Sequence, residues 1–449
     1  MPGRVLHPRR PWEGRRIVLG VTGGVAAYKA VQLARDLTRL GAEVDTVLTG
    51  GAQRFVRPLS FDGVTGRSTA TELFSTEGAA LHIKLGSEAH VVCVAPATAD
   101  LIARAAQGRA DDLLTTTLLA TRAPVLICPA MNDRMFSHPQ TQANLRHLHE
   151  VLSYRVAGPG TGPLAAGEGS GPGRMLEPHE IVEEIGLALS EASPLRGKKV
   201  LITAGPTREA IDPVRFIGNR SSGRMGFALA AAAWRRGADV KVVAGPVPLP
   251  GPYGVEVLNV ETAREMLECV SEHLPEADVS LFASAVADYR PANPSEEKLK
   301  RADVGPEMTL TLAENPDVAG ETRTVRKAGS VSVGFALETR SLLENARAKL
   351  DAKGFDMIVA NEAEEEGAGF DVDTNRVVLL GADGKTDELP LLAKDEVAEV
   401  ILDRVSEIME SSVQPGVEPG GEPGVEPGGE PGGEPGGEPG GEPSVEPGG

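Results

Sequence analysis

The sequence is poor in cysteine, in aromatic residues and in positive charge. Its three cysteines, Cys93, Cys128 and Cys269, lie far apart with no CxxC spacing, which removes a disulfide framework and thiolate zinc or iron–sulfur sites from consideration. Buried structural thiols in a reducing compartment are the expectation. Lys and Arg number 45 against 64 Asp and Glu, a net charge of −19. A general nucleic-acid binder holds phosphates with clustered cations, so that class is excluded, whereas small anionic substrates need only a few. No run approaches the roughly 18 apolar residues of a membrane span. The basic start MPGRVLHPRRPWEGRR has no apolar h-region after it and does not read as a secretory signal. The expectation is a cytoplasmic chain with neither nucleic acid nor membrane as partner.

What is abundant is glycine, 53 residues, and much of the excess has a local cause. From about residue 414 the chain repeats Glu-Pro-Gly-Gly or Glu-Pro-Gly-Val, carrying eight glutamates and no Lys or Arg. Without apolar periodicity it cannot bury a core, so residues 414–449 are expected to be disordered. The other residues are too many for one ordinary core and predict two domains.

Two stretches open alike. RRIVLGVTGGVAAYKAVQLARDLTRLGAEVDTVLT (15–49) and KKVLITAGPTREAIDPVRFIGNRSSGRMGFALAAAAWRRGADVKVVA (198–244) each read as strand, glycine-containing loop, amphipathic helix, glycine stop (Gly41, Gly237) and second strand. Each starts a βαβ unit, hence the expected fold: α/β, two doubly wound, mostly parallel-sheet Rossmann-like domains, with a boundary in SEASPLRGKK (190–199). Later strands are predicted at 90–96 and 123–130, then at 279–287, 331–337, 355–361 and 376–381. Ligands of open α/β sheets gather beyond the carboxyl ends of strands, so the loops after these segments are where chemistry is expected.

Three such loops stand together in the first half: Thr22-Gly23-Gly24, Ala95-Pro96-Ala97-Thr98 and Pro129-Ala130-Met131-Asn132. A Gly-Gly turn lets backbone N–H groups approach a phosphate at a helix N-terminus, though by itself it is a weak signal. With HIKLG (82–86), APATADLIARAAQGRADDLL (95–114) and PAMNDRM (129–135), however, residues 15–189 resemble the flavoprotein half of bifunctional phosphopantothenoylcysteine decarboxylase/phosphopantothenate-cysteine ligases. The resemblance implies FMN, bound near Thr22, Gly23, Gly24, Thr49, Ala95, Thr98 and Met131. It also implies His82 as catalytic acid/base and Asn132 as donor to the substrate carboxylate. The chemistry suits those residue types. Decarboxylation of a cysteine amide lacks an electron sink until the thiol-bearing carbon has been oxidised to a thioaldehyde by the flavin. A histidine can then move protons near neutral pH, and an asparagine binds the carboxylate without a charge that would favour its retention.

The second half, 197–409, resembles the ligase of the same family through ITAGPTREAIDPVRFIGNRSSGRMG (202–226), SAVADYRP (284–291), EKLK (297–300), ENPDV (314–318) and VGFALET (333–339). A nicotinamide-dependent Rossmann enzyme would not carry these blocks together. The resemblance implies activation of the 4'-phosphopantothenate carboxylate by CTP as an acyl-cytidylate, then attack by L-cysteine, with Mg2+ on the triphosphate and metal ligands not assigned. Asn219 and Lys298 would be catalytic. Asp288, Lys298, Pro316, Asp317, Val318, Phe335, Lys349 and Lys353 would hold CTP. It further implies a homo-oligomer of trimeric flavodomains, with the flavin between subunits, and dimeric ligase domains. The product would pass to the flavodomain and become 4'-phosphopantetheine. One departure stands out. The flap GTGPLAAGEGSGPGRM (160–175) has no cysteine where many members carry one; the position falls at Ala166 or Gly167. An alternative is therefore an active ligase whose flavodomain is impaired in decarboxylation, or is a regulatory or assembly module.

Overall fold

The computed structural model describes residues 11–74, 80–164, 167, 169–190, 192–301, 305–338, 341–362 and 374–413. The EPGG repeat and Ala166 lie outside them.

The first half is built on a five-stranded parallel sheet in the order β2 (Glu43–Leu48), β1 (Arg16–Val21), β3 (Val91–Ala97), β4 (Val125–Pro129) and β5 (Arg155–Val156). Alternation along β1 sends Ile17, Leu19 and Val21 to one face and Val18 to the other. Helix α1 (Ala27–Arg39) covers the first face with Ala27, Ala30, Leu33, Ala34 and Leu37, a 3.6-residue stripe. Gly41, at φ +95°, takes the left-handed conformation that ends it. After α2 (Pro58–Thr65) and α3 (Leu81–Glu88), α4 (Ala99–Ala106) and α5 (Leu113–Ala120) cover the opposite face. Burial of each such leucine contributes on the order of 1.5–3 kcal/mol. The short α6 (Asp133–Ser137) follows β4, then α7 (Pro139–Glu150). The antiparallel hairpin β6 (Gly160–Pro163) and β7 (Ser170–Arg174) precedes α8 (Pro178–Leu189).

The second half holds an eight-stranded sheet. Its strands are β8 (Lys199–Ala204), β11 (Asp239–Ala244), β12 (Glu256–Asn259), β13 (Val279–Phe282), β16 (Val331–Glu338), β17 (Met357–Glu362), β19 (Val378–Gly381) and β20 (Thr386–Glu388), in the order β12-β11-β8-β13-β16-β17-β19-β20. Six are parallel; at one edge β19 pairs antiparallel with β17, and β20 antiparallel with β19. Helix α9 (Arg224–Arg235) and the C-terminal helix Lys394–Val413 pack on one face, and α10 (Ala263–His273) and the helix Leu342–Lys353 on the other. Three small pairs sit outside the sheet: β9 (Arg208–Ala210) with β10 (Phe216–Gly218), β14 (Tyr289–Pro291) with β15 (Leu312–Glu314), and β18 (Thr374–Asn375) with β21 (Leu392–Ala393).

Two expectations need correction. The strand predicted over 279–287 stops at Phe282, because Ala283–Ala287 leave the sheet and bond to the loop after β8: Ala285 N donates to Gly205 O at 2.8 Å and Ala287 N to Thr207 Oγ1 at 2.9 Å. Cys93 and Cys128 are buried, but Cys269 on α10 is only partly so.

The two halves form one compact unit with a charged seam. Arg235 on α9 donates to both Glu183 carboxylate oxygens at 2.8 Å and to Glu399 at 2.8 Å, and Arg236 pairs with Glu399 and Asp403. Gly186 makes room for this: a Cβ there would lie 2.7 Å from the Arg235 Cδ. Beside it, Tyr253 OH donates to Glu184, which also accepts from Arg155.

Candidate active sites

In the first half the loops after β1, β2 and β3 meet, and buried hydroxyls tie them together. Thr22 Oγ1 donates to Pro96 O at 2.7 Å and accepts from Thr98 N at 3.1 Å. Thr98 in turn caps α4 by accepting from Leu101 N, and Thr49 Oγ1 bonds Val21 O and Ala52 N. Gly23 is sterically required, since a Cβ there would lie 2.7 Å from the Gly51 carbonyl carbon. At Gly24 a Cβ would meet only the Thr98 methyl, at 3.8 Å. Helix α1 begins just beyond with no side-chain cap and no acid in its first turn; Ala27 N and Lys29 N donate to Gly24 O and Ala26 O, and the remaining first-turn N–H groups are open to an anion. Ala95 is buried, and Met131 N holds the flap by donating to Gly173 O at 2.9 Å. A cradle of backbone amides, with a glycine where only hydrogen fits, suits a phosphorylated cofactor such as FMN.

Asn132 caps α6, its Oδ1 accepting from Arg134 N at 3.0 Å, which leaves the Nδ2 hydrogens for another acceptor. His82 sits in the first turn of α3, which packs on α5; its Nδ1 is buried and has no hydrogen-bond partner. Among the described residues no hydrogen bond joins His82 to Thr22, Thr98 or Asn132. Gly167, in the flap, is exposed at φ +85°.

The flap is moored to α1. Buried Lys29 donates to Glu177 at 2.8 Å and to Met175 O at 3.4 Å, and Glu177 also accepts from Arg174 of β7. The Lys29 ammonium, outweighing partial burial, holds the Glu177 carboxyl below the usual carboxylate range.

The second half holds a cavity of about 970 Å³ at the carboxyl ends of β13, β16 and β17. It is lined by Asn219, Asp288, Pro316, Asp317, Val318, Phe335, Lys349 and Lys353, brought together from five separate segments. Asn219, just after β10, donates from Nδ2 to Val286 O at 2.9 Å. Lys349 and Lys353 lie one helical turn apart: Lys349 Nζ donates to Phe335 O and Lys353 Nζ to Asp317 Oδ1, at 2.7 and 2.8 Å. Burial works against the Asp317 charge, but the Lys353 ammonium and the Gly320 N–H outweigh it and keep the carboxyl below its usual range. Lys298 is the exception. It is exposed, on the segment after β14, and does not line the cavity. No cluster of His, Cys, Asp and Glu suited to a metal occurs among the described residues.

The cavity wall also contains Arg224, which lies within the quoted 202–226 block but was not singled out there, and Asn361, Asn375 and Lys394, which fall outside the motifs. Asn361 was within reach of the strand-end rule, because it lies near the end of β17. Asn375 and Lys394 had no such signal: β18 and β21 place them there from 19 positions apart.

Comparison with known proteins agrees with both halves. The Flavoprotein family model matches residues 6–189, and that of the DNA/pantothenate metabolism flavoprotein C-terminal domain matches 195–409. The coenzyme A biosynthesis bifunctional protein CoaBC of Vibrio vulnificus is 45% identical over 395 residues, covering 87% of this chain and 96% of that protein. Its counterpart from Mycobacterium tuberculosis is 45% identical over 412 residues, covering 89% and 97%. A crystal structure of the C-terminal domain of a CoaBC protein, 40% identical, covers 49% of this chain and all of that one, with a TM-score of 0.42. With both halves matched in the same order, the chain belongs to the family of coenzyme A biosynthesis bifunctional proteins, ligase and decarboxylase in one polypeptide.

Proposed function

We propose that the ligase activity resides in the 970 Å³ cavity and the decarboxylase activity in the loops beyond β1, β3 and β4, each in its own doubly wound domain (15–189 and 197–409). The carrying observation is that one cavity gathers an amide donor, Asn219, with two lysines and the Phe335 ring from distant parts of the chain.

In the ligase, a 4'-phosphopantothenate carboxylate oxygen attacks the α-phosphorus of CTP, pyrophosphate leaves, and the cysteine amine then displaces CMP to form the amide. A free carboxylate is a poor electrophile, which is why the nucleotide comes first. Asn219 spends one Nδ2 hydrogen on Val286 O and turns the other to the oxygen on which charge develops. Lys349, Lys353 and Lys298 balance the phosphates, with Mg2+ entering on the triphosphate. Asp288, Pro316, Asp317, Val318 and Phe335 shape the nucleotide pocket.

In the flavodomain, Gly23, Gly24 and the start of α1 would hold the FMN phosphate, while Thr22, Thr49, Ala95, Thr98 and Met131 would flank the rest. FMN, when bound, supplies a two-electron oxidation at the thiol-bearing carbon, so that the electron pair left by CO2 has an acceptor. Asn132 donates from Nδ2 to the departing carboxylate. His82 holds and returns a proton from its first-turn position on α3. The two residues sit on different elements without a hydrogen bond between them. The proposed assembly of this half is a trimer with the flavin between subunits. Exposed Val25, Tyr28 and Leu59 favour such packing, as exposed Phe216 and Tyr289 favour pairing of ligase domains.

Protein incubated with phosphopantothenate, cysteine, CTP and Mg2+ should release CMP and pyrophosphate and yield phosphopantetheine by mass. Absence of nucleotide turnover would remove the ligase assignment. A second reading rests on the flap without cysteine: product accumulating undecarboxylated, or still oxidised, would show that the flavodomain stalls.

A further inference from the structure

We infer that Asp212 is a positioning residue for the ligase, locking the segment that carries Lys298 to the hairpin that delivers Asn219. The inference rests on the assignment of Lys298 to the triphosphate.

The hairpin β9–β10 ends at Gly218, so its exit sets where Asn219 stands in the cavity wall. Asp212 occupies its turn, with a side chain that is 0% exposed. One carboxylate oxygen accepts from Val214 N and Arg215 N, both at 2.8 Å. The other accepts from the Arg215 guanidinium at 3.0 and 2.5 Å and from Leu299 N at 3.1 Å. Arg215 reaches onward to Leu299 O at 2.8 Å, and Ser295 N donates to Ile211 O at 2.9 Å. Three bonds thus stitch the 295–299 strap to the hairpin turn, and both backbone groups of Leu299 are occupied. Lys298 is therefore held at its backbone while its side chain stays in solvent, free to swing a charge.

An uncharged or truncated side chain here would leave up to five N–H groups facing a lost or weakened acceptor. The Arg215 guanidinium and three backbone N–H groups hold the Asp212 carboxyl well below its usual range despite burial, so the lock stays charged throughout the working pH range. The consequence is catalytic as well as structural. A group misplaced by about 1 Å can lose ~10²-fold in rate, and one hairpin here fixes the spacing of the two groups assigned to the ligase step.

The test is a double-mutant cycle on the full chain, read as pyrophosphate release, with Asp212→Ala, Lys298→Gln and the pair; Asp212→Asn replaces the alanine should that variant not fold. Asp212→Ala is expected to lower kcat about 10- to 100-fold with less than about 3-fold change in the phosphopantothenate KM. In the Lys298→Gln background it should add less than about 3-fold. Unchanged decarboxylation of supplied phosphopantothenoylcysteine and an unchanged oligomeric mass are expected alongside. A full multiplicative loss in the Lys298→Gln background would overturn the lock while leaving Lys298 in its role. Wild-type turnover by Lys298→Gln would instead overturn the Lys298 assignment, and the inference with it.

Discussion

The two halves begin with a strand, a glycine-containing loop and a helix, the second with the β9–β10 hairpin inserted before its helix, yet they build different kinds of site. In the first, neutral groups do the organising: buried Thr22 and Thr49 and half-buried Thr98 lock three loops, and the ligand surface is backbone amide. In the second, long excursions after β13 and β15 wall off a cavity in which Lys349 and Lys353 are already partnered, Lys353 with Asp317 and Lys349 with a carbonyl. A resident cofactor suits the first design, since a rigid cradle needs no rearrangement at each turnover. Substrates that enter and leave suit the second, where pre-paired charges exchange partners rather than stand bare.

The comparison breaks most sharply if the sites are not independent. His82→Gln should reduce decarboxylation of supplied phosphopantothenoylcysteine by ~10²- to 10⁴-fold, with CTP turnover and flavin absorbance retained. Asn219→Ala should lower pyrophosphate release by ~10²- to 10³-fold and leave the flavin activity intact. A variant that suppresses both activities equally, at unchanged stability, would mean that the halves work as one centre.

The contrast between neighbouring glycines sharpens the cradle argument. Gly23→Ala should strip most flavin from the purified protein, measured by absorbance per chain, because the added methyl meets the Gly51 backbone. Gly24→Ala has room in the protein itself. Its flavin loss therefore reports how closely the ligand approaches that residue, and equal retention in the two variants would sink the steric reading.

Next comes the seam. Arg235→Ala leaves Glu183 and Glu399 facing each other at side-chain exposures of 18% and 12%. Burial pushes the Glu183 carboxyl above its usual range even beside Arg235, so removal of the arginine should cost about 3 kcal/mol. Thermal unfolding that splits into two transitions is the expected signature; a single transition at the wild-type temperature would show that the seam contributes little.

How much of this was legible in the sequence depended on locality. Gly41 and Gly237 stop their helices as expected, at φ +95° and +84°, because a left-handed C-terminal residue is a short-range demand. Lys349 and Lys353 were legible as one helix face because they lie four apart, whereas Asp317 was legible only through the ENPDV block. Lys298 was legible as a type of residue but not as a position, since its strap is placed by Asp212, distant in sequence and silent in pattern. The seam was not legible at all: the polar stretch 190–199 reads as a loose linker, and nothing local pairs Glu183 with Arg235. Strand 279–287 failed for a related reason, as an alanine-rich run reads the same whether it joins a ladder or lines a cavity.

The smallest effect concerns the flap mooring, where the cofactor half does use charge. Glu177 is held below its usual range by Lys29, so the tether is complete above the ordinary glutamate pKa of ~4.3 and is lost as pH falls through the lowered value. Glu177→Gln keeps an acceptor for the α8 cap but discards the charge. With Glu177 about one-third exposed, the pair should contribute less than ~1 kcal/mol. At neutral pH the variant should be cleaved in the 160–175 flap only a few-fold faster than the parent under limited proteolysis. As the pH is lowered from 6 to 3 with an acid-active protease, the parent should converge on the variant, whose own rate relative to an unstructured peptide stays flat. Parallel curves for the two proteins would mean that the flap is held by the Met131–Gly173 backbone bond alone, and that charge plays no part in closing the first site.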